Sequence, residues 1–356
     1  AHAGTRAPAG PRPAPRTGLA YRSIGYDVGT AFAVDWPVSR LVWGKRLMRA
    51  ELRMIHQDLH ANTVGVFGND VGRLVDTARE ALRRGMRVTI QPRLFEHPPA
   101  EALAPLAETA RAAESLRAAY GPEVILVVGC EFMLFTPGIL PGASFPERVA
   151  YLRSPGADFP AAFRRLAGHV REAVAVARRH FGGRLTYGAA AGLERIDWSL
   201  FDIVGLDYYS YHPTRAGHAA ELAPFRAWGK PIMILEFGCC TYTGAPERGG
   251  MGWDVTDYSV DPPVLLPGLV RDEREQARHL ASMLAVFAAE GLLGASPYQF
   301  VAPDAPHLPG LPRQDWDTAS FAVCATIRAD PDDEASPYTL RPKRAFHAVA
   351  RHYRGG

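Results

Sequence analysis

Eight short, mainly apolar runs, most of them followed by a longer helical segment, limit what this chain can fold into. They are SIGYDVGTAF, NTVGVFGN, MRVTIQPRL, EVILVVGCE, RLTYGAA, DIVGLDYYS, PIMILEFG and LLGASPYQF. Apolar strand bodies belong to a parallel sheet covered by helices. The intervening VGRLVDTAREALRRG and PAEALAPLAETARAAESLRAAYG carry helix-forming residues and end on glycine, a common helix stop. A long helix is expected from about 146 to 181 and a terminal one over PKRAFHAVARHY. Eight such units in 356 residues predict an α/β fold with one closed (β/α)8 TIM barrel as a single domain over 21–356. The first strand-to-helix turn, DVGTAFAVDWP, has no GxGxxG fingerprint, which argues against an open dinucleotide-binding sheet.

Composition removes several functions. A net charge of +3 with no basic run gives no sign of a nucleic-acid partner. No apolar run approaches the length of a transmembrane helix. Residues 1–20 have no apolar periodicity and read as a disordered leader or linker. Localisation stays open between export, which a trimmed leader favours, and the cytoplasm, which reduced cysteines favour. Cys130, Cys239, Cys240 and Cys324 show no CxxC spacing and read as packed thiols. With no HxH pair on the first strand, no metal and no organic cofactor is expected.

Barrel chemistry gathers where strands end, and the irregular stretches 132–145, 241–270 and 301–340 would lie over that mouth. The strand-end residues are Asp27, Phe67 with Asn69, Gln91 with Arg93, Glu131, Tyr187, Asp207 with Tyr208 and Tyr209, Glu236, and Gln299. Two of them, Glu131 and Glu236, follow apolar runs on the fourth and seventh strands. Buried alone, each would cost several kcal/mol. Facing one pocket, they suit two-carboxylate cleavage of a glycosidic bond.

GCE at the fourth strand, DIVGLDYYS at the sixth and GKPIMILEFG at the seventh resemble the clan A glycoside hydrolases, from about Ser23 to Tyr353. The resemblance implies a retaining (β/α)8 enzyme with Glu236 as nucleophile and Glu131 as acid/base. Tyr209 would hydrogen-bond the nucleophile. Three positions depart from the clan: Cys130 stands where an asparagine grips the sugar, Gly65 where strand two often has an arginine, and Tyr298 or Phe300 where a tryptophan ends strand eight. Arg93 would supply the missing cation. Asp27, Asn69, Cys130, Tyr208, His212 and Gln299 are candidate substrate ligands. Trp36, Trp253 and Phe300 are candidate sugar platforms. The expected partner is an oligosaccharide, polysaccharide or glycoside, with oligomeric state open. A barrel that binds carbohydrate without cleaving it, and a transglycosylase, are the alternatives.

Overall fold

The computed structural model describes residues 18–355. Its main sheet is parallel throughout. The strands are β1 in two pieces (Tyr21–Arg22 and Gly25–Asp27), β2 (Thr63–Gly68), β3 (Arg87–Pro92), β4 (Val124–Cys130), β5 (Arg184–Ala190), β6 (Val204–Asp207), β7 (Ile232–Phe237) and β8 (Gly294–Pro297). The first piece of β1 pairs with β8 and the second with β2. Ser23 donates its amide to Ala295, and Phe300 donates to Gly25, so the seam is hydrogen-bonded along its length. The sheet therefore closes into the expected (β/α)8 barrel.

Strand bodies such as Val124–Cys130 are buried at every position, as a sheet with covered faces requires. Four of the helices start on a side-chain cap. Asp70, Asp158, Thr214 and Asp272 each accept from backbone amides of the first turn, satisfying donors that a helix start leaves unpaired. Helix Lys45–Gln57 turns Met48, Leu52 and Ile55 inward. The last helix, Arg344–Arg354, brings the Tyr353 hydroxyl within 2.6 Å of the Ser23 carbonyl and 3.1 Å of the Ala295 carbonyl, across the seam.

Two expectations change. The long helix over 146–181 is two helices, Phe145–Leu152 and Phe159–His180. Pro155-Gly156 breaks the first, and Asp158 caps the second, with Pro160 in its opening turn. The stretch expected to be irregular over 301–340 carries an antiparallel hairpin, Cys324–Arg328 with Tyr338–Pro342. A buried cluster ties that hairpin to the barrel. Arg40 pairs with Glu51, whose carboxylate also accepts from the hydroxyls of Tyr26 at 2.5 Å and Tyr338 at 2.8 Å.

The expected leader lies, up to residue 17, outside the described residues. Leu19 is already core, and the Ala20 carbonyl accepts from Asn62 and Arg87. All four cysteines are free and buried. Among the described residues no helix is long and apolar enough to cross a membrane.

Candidate active site

Glu236 sits at the end of β7, buried, with both carboxylate oxygens engaged. Arg93, just beyond β3, forms an ion pair with Oε1, and the Tyr209 hydroxyl donates to Oε2 at 2.9 Å. Arg93 is itself held. Its Nε donates to Gln91 Oε1, Gln91 donates on to the Gly129 carbonyl at 3.3 Å, and the guanidinium lies 3.7 Å over the Phe67 ring. Phe67 stacks in turn on Tyr298 at 5.6 Å. Desolvating an ion pair is expensive. Here the cost is met by hydrogen bonds and by the face of an aromatic ring, where a cation is favoured.

Glu131 follows β4 in a left-handed backbone conformation, with φ at +43°. Its amide donates to the Gly188 carbonyl of β5 at 2.8 Å, and its side chain is half-buried. Burial pushes its carboxyl well above the usual carboxylate range, and the charges of Glu236 and Glu194 push the same way against Arg93. The two glutamates thus feel each other across one mouth, in unlike surroundings.

Between them lies Asp207, the last residue of β6 and the cross-strand neighbour of Glu236. Its Oδ2 accepts from the Cys130 thiol at 3.4 Å, while its buried Oδ1 has no partner. Burial, then the charges of Glu236 and Glu131, push its carboxyl well above the usual carboxylate range. A Cβ at Gly188 would come within 2.9 Å of Asp207 Oδ2, so the carboxyl occupies space that only glycine leaves. Burial also pushes the Cys130 thiol up, so it stays protonated. One donor atom each from Cys130, Asp207 and Glu236 lie within 4.8 Å of one another, the spacing of a metal-ligand set. The cation already in contact with this group is Arg93.

The structure brings Glu131, Glu236, Tyr209, Arg93 and Cys130 to this mouth and separates others from it. Asp27 spends its carboxylate on its own loop, accepting from the Gly29 amide at 2.8 Å, the Thr30 hydroxyl at 2.9 Å and the Ser39 hydroxyl. It organises the loop after β1 instead of offering an oxygen to a ligand. Tyr208 points outward, its hydroxyl 2.7 Å from His218 and its ring edge-on to Phe287 in helix Glu273–Ala289. His212 joins that outer group through Glu221 at 2.6 Å. Phe300 is fully buried beside Tyr26 and offers no platform, whereas Tyr298 lies next to Phe67 and Phe321. Gln299 is buried with its Oε1 unpartnered, and the Tyr298–Gln299 peptide is cis. Asn69 accepts from the Ala31 amide at 2.8 Å and lines a cleft with Arg93, Phe95 and Cys130. Trp36 is 62% exposed, out on the loop after β1. Trp253 closes a line of rings, Phe32, Phe95, Phe135, Phe145 and Trp253, with neighbouring centroids 4.0 to 6.0 Å apart. That line joins the loops after β1, β3, β4 and β7.

Sequence reasoning did not pick out Glu194, in the loop after β5. It accepts from the Met133 amide at 2.9 Å, the Ala190 amide at 2.9 Å and the Tyr187 hydroxyl at 2.9 Å. No pattern in the surrounding AGLERIDW marks it. Asp207 stood in view at a strand end, and the parity of β6 puts it on the same face as Tyr209.

No family model matches this chain, and no curated protein matches it in sequence. Solved structures match it in fold. A GH113 β-1,4-mannanase superposes with a TM-score of 0.58 at 14% identity, over 96% of this chain and 99% of the other. The GH113 β-mannanase of Alicyclobacillus acidocaldarius, in complex with ManMIm, gives 0.53 at 15% identity over 95% and 98%. A glycoside hydrolase family 5 enzyme of Prevotella bryantii gives 0.52 at 13% identity over 94% and 96%. The likeness is one of fold, carried across nearly the whole length of each chain.

Proposed function

We propose that this chain is a retaining glycoside hydrolase acting on an oligosaccharide, a polysaccharide or a simpler glycoside. One observation carries the reading. Glu236 is ion-paired to Arg93 and bonded by Tyr209, while Glu131, on the facing loop, is held in surroundings that keep its proton. An ionised carboxylate and a protonated carboxyl at one mouth are the two parts that double displacement needs. The shared fold with β-mannanases and a family 5 glycoside hydrolase supports the same class.

In the first step a Glu236 oxygen bonds to the anomeric carbon as the glycosidic C–O bond breaks, and the Glu131 proton passes to the departing oxygen. The glycosyl ester on Glu236 then opens to water, whose proton returns to Glu131. An alcohol in place of that water would give transglycosylation. Tyr209 and Arg93 hold the Glu236 carboxylate in register for the attack and stabilise its charge again when the ester opens. No step uses a metal or an organic cofactor.

The test is a panel of activated 2-deoxy-2-fluoro glycosides, β-mannosyl fluoride first, followed by mass spectrometry. An adduct on Glu236 is expected. An adduct on another residue overturns the assignment, and sugar binding with no adduct across the panel favours a barrel that binds carbohydrate without cleaving it. Replacing Glu236 by Gln should abolish turnover, and Glu131→Ala should lower it by about 10²–10⁴-fold on substrates with poor leaving groups.

A further inference from the structure

Three consecutive amides around Glu131 are tied to one short piece of chain. The Glu131 amide goes to the Gly188 carbonyl, the Phe132 amide to the Tyr187 hydroxyl at 2.7 Å, and the Met133 amide to Glu194 Oε1 at 2.9 Å. The Tyr187 hydroxyl in turn donates a hydrogen bond to the Glu194 carboxylate, whose Oε2 also accepts from the Ala190 amide. Phe132 and Met133 open a helix of only four residues, too short to hold its own start. Glu131 caps that helix with a positive φ, a conformation that costs a residue with a side chain about 1–2 kcal/mol and persists only where its surroundings impose it.

We propose that Glu194 is a positioning residue for Glu131: with Tyr187 it grips the two amides that follow Glu131 and so fixes the turn presenting that carboxyl to the mouth. This extends the reading of Glu131 as acid/base and names what orients it. Glu194 also acts through its charge. It is buried, and burial, partly offset by its hydrogen bonds, moves its carboxyl up to about 7. Once ionised, it joins Glu236 in holding the proton on Glu131. The other groups facing Glu131 are Arg93 from the end of β3, which opposes them, Asp207 from β6, Cys130 beside it on β4, and Tyr209 beyond β6. Glu194→Gln removes the charge and turns one acceptor into a donor facing an amide. Tyr187→Phe removes the hydroxyl that receives the Phe132 amide and leaves the charge.

Both effects can be read without substrate, by NMR on the full chain with ¹³C at the glutamate carboxyls, the Glu131 signal being assigned by its loss in Glu131→Gln. In Glu194→Gln the Glu131 midpoint should fall by about half a pH unit or more, since a negative neighbour has gone. An unmoved midpoint in the folded variant overturns the charge role. In Tyr187→Phe the Phe132 and Met133 amides should exchange with deuterium roughly tenfold faster or more, while core strands are unchanged. Unchanged exchange at those two amides overturns the grip, and this second variant decides the matter if Glu194→Gln does not fold. The glycosidase reading fails by a different result, full turnover in Glu131→Gln.

Discussion

Glu131 and Glu236 are the same side chain in opposite settings, and the contrast sets the pH dependence of the site. In the proposed mechanism Glu131 must carry a proton to act as acid, and burial with two carboxylate neighbours pushes its carboxyl well above the usual range, so that it keeps that proton. The alkaline limb of kcat/KM should therefore lie well above the ordinary glutamate value of about 4.3, with activity falling as pH rises through it. In Glu131→Gln that limb should vanish, and its persistence would assign the limb to another group. Gly188→Ala should also impair turnover, because the added Cβ meets Asp207 Oδ2 at 2.9 Å and must displace it from its place beside Cys130 and Glu236. Normal kcat with an unshifted Asp207 would show the space to be spare. Much of this was readable from strand ends: Glu236, Glu131, Tyr209 and Arg93 all project from them. Tyr208 misled because the two tyrosines are adjacent, and only strand parity separates the one facing the mouth from the one facing the helices. Asp27 misled because its partners, Gly29, Thr30 and Ser39, are in its own loop, and a sequence does not show how a loop folds back on its anchor.

At the scale of elements, the Arg40–Glu51 pair does for the outer layer what Arg93 does for the mouth. It joins the loop after β1, helix Lys45–Gln57, Tyr26 of β1 and Tyr338 of the late hairpin. Glu51→Ala leaves the Arg40 guanidinium buried without its counter-charge and should cost about 3–5 kcal/mol in denaturant unfolding. Glu51→Gln keeps an acceptor for the tyrosine hydroxyls and should cost less; equal losses would mean that packing, not charge, dominates. The eight strands and most of their helices were legible because burial on both faces leaves long apolar runs. The late hairpin was not: its second strand, Tyr338–Pro342, is half-buried or exposed along its length and carries no apolar run to pair with the one that leads into Cys324–Arg328. The 146–181 helix looked continuous because its halves share helical composition, and the break rests on Pro155, Gly156 and Asp158.

For the whole molecule, the ionisations combine into a stability profile. Glu131 and Asp207 are raised, and Glu194 sits at about 7. Stability from such groups is full below their unfolded pKa and is lost as pH climbs through the folded value. Glu273 is lowered to about 2 although burial opposes the shift, because Arg271 and Arg341 bond it. Its contribution is present above the unfolded value and is lost as pH falls towards 2. Thermal melting should thus peak in mild acid, at roughly pH 4–6, and Glu194→Gln should flatten the alkaline descent. A wild-type peak above neutrality would contradict this balance. The two-piece first strand has a further consequence, for how the protein is made. One side of β1 finds its partner in β2 at once, but the partner of Arg22 is Ala295, which leaves the ribosome only after the seven strands before it. Until then the nascent chain is an open sheet with two bare edges, the condition under which strands recruit strangers. Closure waits for the eighth strand, and the Tyr353 hydroxyl that spans both sides of the seam follows Ala295 by a further 58 residues. A ribosome stalled short of Tyr353 would display an unlatched barrel, and protease sensitivity of stalled chains should drop once the turn carrying that tyrosine emerges.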